Sequence, residues 1–248
     1  MAVMDEFKEE REKLKSQSFK KKLSYFWTYY KWYVIGGLFI AVILTATVRS
    51  FLTRTEDALY GVVVNGYASD NEEAFLTGFT DYAGIDTKEY SVAFNSTMRI
   101  SDRLDESTLA ASQFIMVYTS AGDLDVAVMD AQPFTKYAYS GIYSDLSTLL
   151  DSELLSSLSG RIYYMDYAVY KQITELEENN QSSDEVIRPD PLKPEEMQEP
   201  VPVGIDLTGC SKFMDTYYYE SGTAYLGIVG NSAHKDTAVK FIEYIFSE

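Results

Sequence analysis

The chain has 248 residues, 46% of them hydrophobic and 15% aromatic, with a net charge of −17; that length allows one globular domain with attachments. Charge is uneven: residues 1–31 hold eight basic and five acidic residues, a net +3, whereas residues 55–248 hold 11 basic and 33 acidic, a net −22. Such an acidic body repels nucleic-acid phosphates, and the single Cys210 and single His234 exclude an internal disulfide, a Cys metal cluster and most triad chemistry.

Residues 5–22 mix Glu and Lys at helical spacing, as in Glu9 with Lys13, and predict a short charged helix or a solvated arm. Lys20, Lys21 and Lys22 precede "YFWTYYKWY", which holds seven aromatics in nine positions, among them Trp27, Tyr30 and Trp32. Trp and Tyr settle at the headgroup level of a bilayer. From Trp32 to Val48 there are 17 residues without a charge, at the short end for a membrane-spanning helix, and Arg49 can snorkel beyond it. The expected organisation is a basic, aromatic arm (1–31), a signal-anchor helix (32–52) and an outer domain (53–248). The excess of Lys and Arg before the helix predicts a cytoplasmic N-terminus, with the C-terminal domain outside.

The outer domain reads as alternating strands and helices. "ALYGVVVNGY" gives a buried strand over Leu59–Asn65, followed by a helix with Asp70 and Glu73 as a capping box. "EYSVAFN" (Glu89–Asn95) is a second strand. A helix capped by Asp105 and stopped by Gly122 follows. Next comes a strand over Leu124–Met129, then Asp130 and a helix. A strand over Ile162–Met165 leads to a helix capped by Asp166. Residues 179–202, acidic and holding five of the six prolines, predict an extended or mobile surface loop. "VPVGIDL" and "AYLGIVG" are strands, and the closing helix carries Ala238, Phe241, Ile242 and Ile245 on its apolar face. The expected fold is α/β, a mostly parallel sheet with helices on both faces.

Three stretches resemble the extracellular solute-binding proteins of bacterial ABC importers, the maltose-binding-like class. They are "ALYGVVVNGY" with its helix, "QFIMVYTSAGDLDVAVMDAQPFTKYAYSGIYSDLSTLL", and "YLGIVGNSAHKDTAVKFIEYIF" with its Ser-x-x-Lys turn. Only Arg161–Gly222 separate the second from the third, too few for a complete second lobe. The resemblance therefore implies one lobe of such a protein, anchored in a bacterial cell membrane. It also implies a ligand face at the strand ends, at Asn65, Gly66 and Tyr67 and at Asp130, Ala131 and Gln132. Tyr67, Tyr139 and Tyr217–Tyr219 are candidates to stack on a sugar.

Each site residue has a plainer reading. Asp130 is most simply the N-cap of the helix from Ala131, the tyrosines are more often packing residues than a sugar platform, His234 is a surface residue and Cys210 a half-buried small one. No metal site, cofactor or catalytic motif is expected. Two functions follow: capture of a small solute or glycan fragment for transport or sensing, or a non-catalytic scaffold of the cell envelope that has lost its ligand. The expected partners are the bilayer and either a solute or an envelope protein.

Overall fold

The computed structural model describes residues 19–52, 55–103 and 105–247. The chain divides into two units, up to Arg54 and from Thr55. In the first, helix α1 (Phe19–Leu52) runs unbroken for 34 residues, roughly 50 Å. It holds one stretch long and apolar enough to cross a membrane, Tyr30–Arg49, none of it buried. The hydroxyls of Thr45 and Thr47 donate to the carbonyls of Ala41 and Ile43, so the apolar stretch carries no unpaired hydroxyl there. Lys20, Lys21, Lys22, Trp27, Tyr30 and Trp32 stand in the first half of this helix, so the expected arm is helical from Phe19. The charged helix expected over 5–22 lies almost wholly outside the described residues.

The second unit contains strands β1 (Glu56–Val64), β2 (Gly66–Ala68), β3 (Tyr90–Asn95), β4 (Val126–Met129), β5 (Ile162–Asp166), β6 (Pro200–Asp206), β7 (Tyr217–Tyr219) and β8 (Tyr225–Ile228). Helices α2 (Glu72–Ala83), α3 (Glu106–Ala121), α4 (Ala131–Ala138), α5 (Ser152–Ser157), α6 (Tyr167–Glu178), α7 (Ser211–Met214) and α8 (Lys235–Phe246) connect them. Six strands form the main sheet in the order β3-β1-β4-β8-β6-β5, and β2 pairs with β7 in a small second sheet.

The α/β fold is as expected, but the sheet is mixed, and the mostly parallel expectation holds only in part. β3, β1 and β4 are parallel, but β8, β6 and β5 join by antiparallel pairing. Apolar runs identify a buried strand without stating its direction. The late strand β8 enters beside β4 against it, and from there the directions alternate, so that β6 again runs with β4 and β5 against it.

Alternation along the strands builds two cores. Leu59 and Val63 of β1 and Val126 and Val128 of β4 pack on one face with Phe75, Phe79, Phe241 and Ile242. Val62, Val64, Ala127 and Met129 pack on the other with Ile115, Phe134, Tyr163 and Ile173. All four expected apolar residues of α8 are buried. Aromatic rings lie flat over strand glycines: a Cβ on Gly227 would stand 2.5 Å from the Tyr143 ring, and one on Gly204 would overlap Phe134.

Helix ends follow the sequence where the cap is local. Asp105 accepts from the Thr108 backbone N–H at 2.8 Å, and that bond, with the hydroxyls of Ser107, Thr108 and Ser101, holds its carboxyl down at about 2. Gly122 takes the left-handed conformation at the end of α3. The Asp70–Glu73 capping box does not form: α2 starts at Glu72, behind Asn71, which makes no side-chain cap.

The predicted 179–202 loop is shorter at its end, because Pro200 and Pro202 lie in β6, paired with Asp166 and Tyr164 of β5. There β6 is bonded on one side only, where a missing proline N–H costs nothing. The loop is also tied down. Pro191 O accepts from Tyr164 N at 2.8 Å on the outer edge of β5, and Glu199 O accepts from Tyr167 N at 2.8 Å at the start of α6, so the loop is held against β5 at Tyr164.

Asp166 anchors this loop. Its carboxylate accepts from the backbone N–H groups of Gln198, Glu199 and Ala168 at 2.9–3.0 Å. Burial acts to raise its pKa, but these N–H groups outweigh it and hold it below the ordinary value. A depressed carboxylate adds stability above its unfolded pKa and loses it as pH falls through the folded one. Asp166→Asn is therefore expected to cost about 1–2 kcal/mol at pH 7, with the gap to wild type closing below about pH 4. Urea unfolding across that range checks the sign; a gap independent of pH would refute it.

Candidate functional site

At the carboxyl ends of β1 and β4 the chain makes two abrupt turns. Asn65 follows β1 with φ +62°, a left-handed conformation that an asparagine tolerates. Its amide is fully used. Nδ2 donates to Ile100 O at 2.7 Å and to Asp130 Oδ1 at 2.9 Å, and Oδ1 accepts from Ile100 N at 2.8 Å. Gly66 must be glycine, because a Cβ there would lie 2.5 Å from Val63 and 2.8 Å from the Tyr219 ring. The β2–β7 pairing then sets Tyr67 opposite Tyr218 and brings Glu220 and Ser221 alongside.

Asp130 occupies the N-cap position of α4 with extended backbone (φ −69°, ψ 171°), yet its side chain caps nothing. The carboxylate turns to Asn65 instead. Burial raises its pKa, against the lowering effect of the Asn65 amide. The capping expectation is thus corrected: a partner 65 residues away outcompetes the helix N-terminus.

Asn65, Tyr67, Arg99, Asp130, Glu220 and Ser221 line a cleft of about 210 Å³. Arg99 lies over the Tyr67 ring, 4.1 Å from its centroid, and donates to Ser96 O and Met98 O at 2.7 Å. One face of Tyr67 is therefore already covered by a cation. Two carboxylates and one guanidinium around so small a polar space suit a ligand that carries hydrogen-bond donors or positive charge.

Of the residues expected at this face, Asn65, Tyr67 and Asp130 converge, and Gln132 and Tyr139 do not. Gln132 is exposed outside the cleft, two residues into the turn and so rotated by roughly 200° about the helix from Asp130. Tyr139 closes the far end of α4, where its buried hydroxyl accepts from Asp166 N at 3.2 Å. Tyr217 and Tyr219 are buried in the core, and the Tyr219 hydroxyl donates to Val128 O at 3.2 Å. Only Tyr218 of that trio is exposed. Arg99 escaped the sequence reading because it lies in irregular chain after β3, where no periodicity marks a direction.

A second polar cluster sits at the opposite end of β4. Buried Asp125 accepts from Tyr60 N at 2.7 Å, from Ser232 Oγ at 2.6 Å, and contacts His234 Nδ1 at 3.2 Å. His234 is thus a half-exposed partner of a buried acid, not merely a surface residue. The trio has the residue types of a hydrolase triad but not its connections. Ser232 Oγ donates to the acid and accepts from the His234 backbone N–H, so the imidazole is not placed to take its proton. Cys210 is buried with its thiol raised by burial, which keeps it unreactive. Among the described residues no group of three His, Cys, Asp or Glu side chains could hold a metal ion.

No family model, no curated protein and no solved structure matches this chain.

Proposed function

We propose that the protein is a single-pass membrane protein whose external domain captures a small polar solute, for transport or sensing, in the cleft at the ends of β1 and β4. The observation that carries this reading is Asp130, a half-buried carboxylate withdrawn from its own helix and held by Asn65 in a cleft edged by Arg99 and Glu220. Loops beyond the carboxyl ends of parallel strands are a common place for ligands. The three stretches that resemble solute-binding proteins fold into neighbouring elements of one sheet, with β1, β4 and β8 side by side, which agrees with a one-lobe domain. The basic residues before the apolar stretch support a cytoplasmic N-terminus and an outward domain at a bacterial cell membrane.

A thermal-shift screen of the detergent-solubilised chain against amines, amino acids and sugars tests the proposal, because a ligand of the folded state must raise its melting temperature. A carboxyl whose pKa is raised by folding favours the folded state at low pH and loses that contribution as pH rises through the folded value. Asp130→Asn is accordingly expected to melt higher than wild type at pH 7 and to lose the response to any hit. A variant that melts lower, or that keeps every response, would contradict the assignment.

The second reading, an envelope scaffold, is favoured by α3. Leu109, Met116 and Val117 are exposed on a 16-residue helix whose only charge is Glu106. On a domain of net charge −22 this uncharged face stands out as a contact surface.

A further inference from the structure

The two edges of the main sheet are treated differently. The loop before β6 is held against β5 at Tyr164, as described above. β3 is the other edge, and among the described residues nothing hydrogen-bonds the outward backbone groups of Ser91–Asn95. An open edge is a template for another strand unless something blunts it. Here a proline, a lysine or a covering loop would do so, and β3, with the sequence Tyr-Ser-Val-Ala-Phe-Asn, has none of them.

Grooves flank this edge on both faces of the sheet. On the α2 side one of about 480 Å³ is lined by Leu76, Tyr90, Ser91 and Val92. Consecutive strand residues point to opposite faces, so the strand backbone itself forms part of that wall. Glu72, Glu73, Asp81 and three threonines also line it, and among the described residues no basic one does. On the α3 side a groove of about 320 Å³ is lined by Asn95, Met98, Arg99, Ala110, Ala111 and Phe114. The groove beside α2 adjoins the first half of the unpaired strand, Tyr90–Val92, and the groove beside α3 adjoins its last residue, Asn95.

We infer that β3 is a docking edge for an extended segment of a partner protein in which basic side chains alternate with apolar ones. A strand added to β3 sends alternate side chains to opposite faces. Those on the α2 side enter a groove edged by three carboxylates, which suits Lys or Arg. Those on the α3 side enter a groove lined by Met98, Ala110 and Phe114, which suits aliphatic residues, and by Arg99, which disfavours a second cation. A second copy of this chain does not fit, because its β3 brings no cation and its domain brings another net −22.

The test uses the full chain in detergent and three synthetic eight-residue peptides. One alternates Lys and Val, one has the same composition in Lys-Lys-Val-Val blocks, and one is the alternating peptide N-methylated at every second residue. The alternating peptide is expected to bind and to protect the amides of Ser91–Asn95 from hydrogen exchange. Blocking, N-methylation, or the double substitution of Glu73 and Asp81 by Lys should each weaken binding by about tenfold or more. The double variant changes exposed side chains only, so its melting temperature should match wild type. Equal binding of all three peptides would mean simple charge attraction and overturn the inference. Protection at the Asp130 cleft in place of β3 would overturn it too, as would a peptide-free dimer with β3 already protected.

Discussion

Replacing Asp125 by alanine is expected to destabilise residues 55–248 by about 3 kcal/mol, a drop of roughly 6–12 °C in melting temperature. The carboxylate is fully buried and joins three segments: the β1 backbone at Tyr60, β4 itself, and the turn before α8 through Ser232 and His234. Its loss leaves the Tyr60 N–H and the Ser232 hydroxyl without an acceptor in the interior. His234→Ala should cost only about 0.5 kcal/mol, because that side chain is 40% exposed and water can replace it. Chemical denaturation of both variants separates the two cases. Equal losses would mean that the cluster works through the imidazole and not through the buried acid.

Phe134→Ala should cost more, about 4 kcal/mol, a drop of roughly 8–16 °C. Its ring is fully buried, 4.7 Å from Tyr143, 4.8 Å from Tyr163 and 5.6 Å from Tyr225, and it covers Gly204 of β6. The same contact makes a second, opposite expectation. Gly204→Ala drives a methyl into the ring and should destabilise wild type by about 1–3 kcal/mol, yet cost clearly less when Phe134 is already alanine. Relief is only partial, since the Leu226 carbonyl would stand 3.1 Å from the new methyl. A double-mutant cycle with no coupling would show that the ring does not rest on the glycine.

Much of the fold was legible because it rests on local rules. Continuous apolar runs in "YGVVV" and "DVAVM" marked two buried strands, and Asp105, Gly122 and Asp166 marked helix ends through bonds that span a few residues. The candidate site was half legible for the same reason. Asn65, Tyr67 and Asp130 follow strands and could be placed; Arg99, Glu220 and Ser221 arrive through irregular chain and a three-residue ladder too short to signal itself. Strand direction was not legible, because burial does not encode it. Nor was the partner of Asp130, for a carboxylate before a helix looks like a cap until its competitor is known. Ser232 and His234 lie 107 and 109 residues from Asp125, beyond any pattern in one sequence.

The proline-bearing loop against β5 sets the stoichiometry of anything that pairs with this sheet. A sheet with two bare ends can add strands in both directions and, through identical copies, grow into a fibre. With the outer edge of β5 occupied at Tyr164 by Pro191, addition is directed to β3. On the strand docking proposed at β3, one added segment would therefore give a one-to-one pair and not a growing fibre.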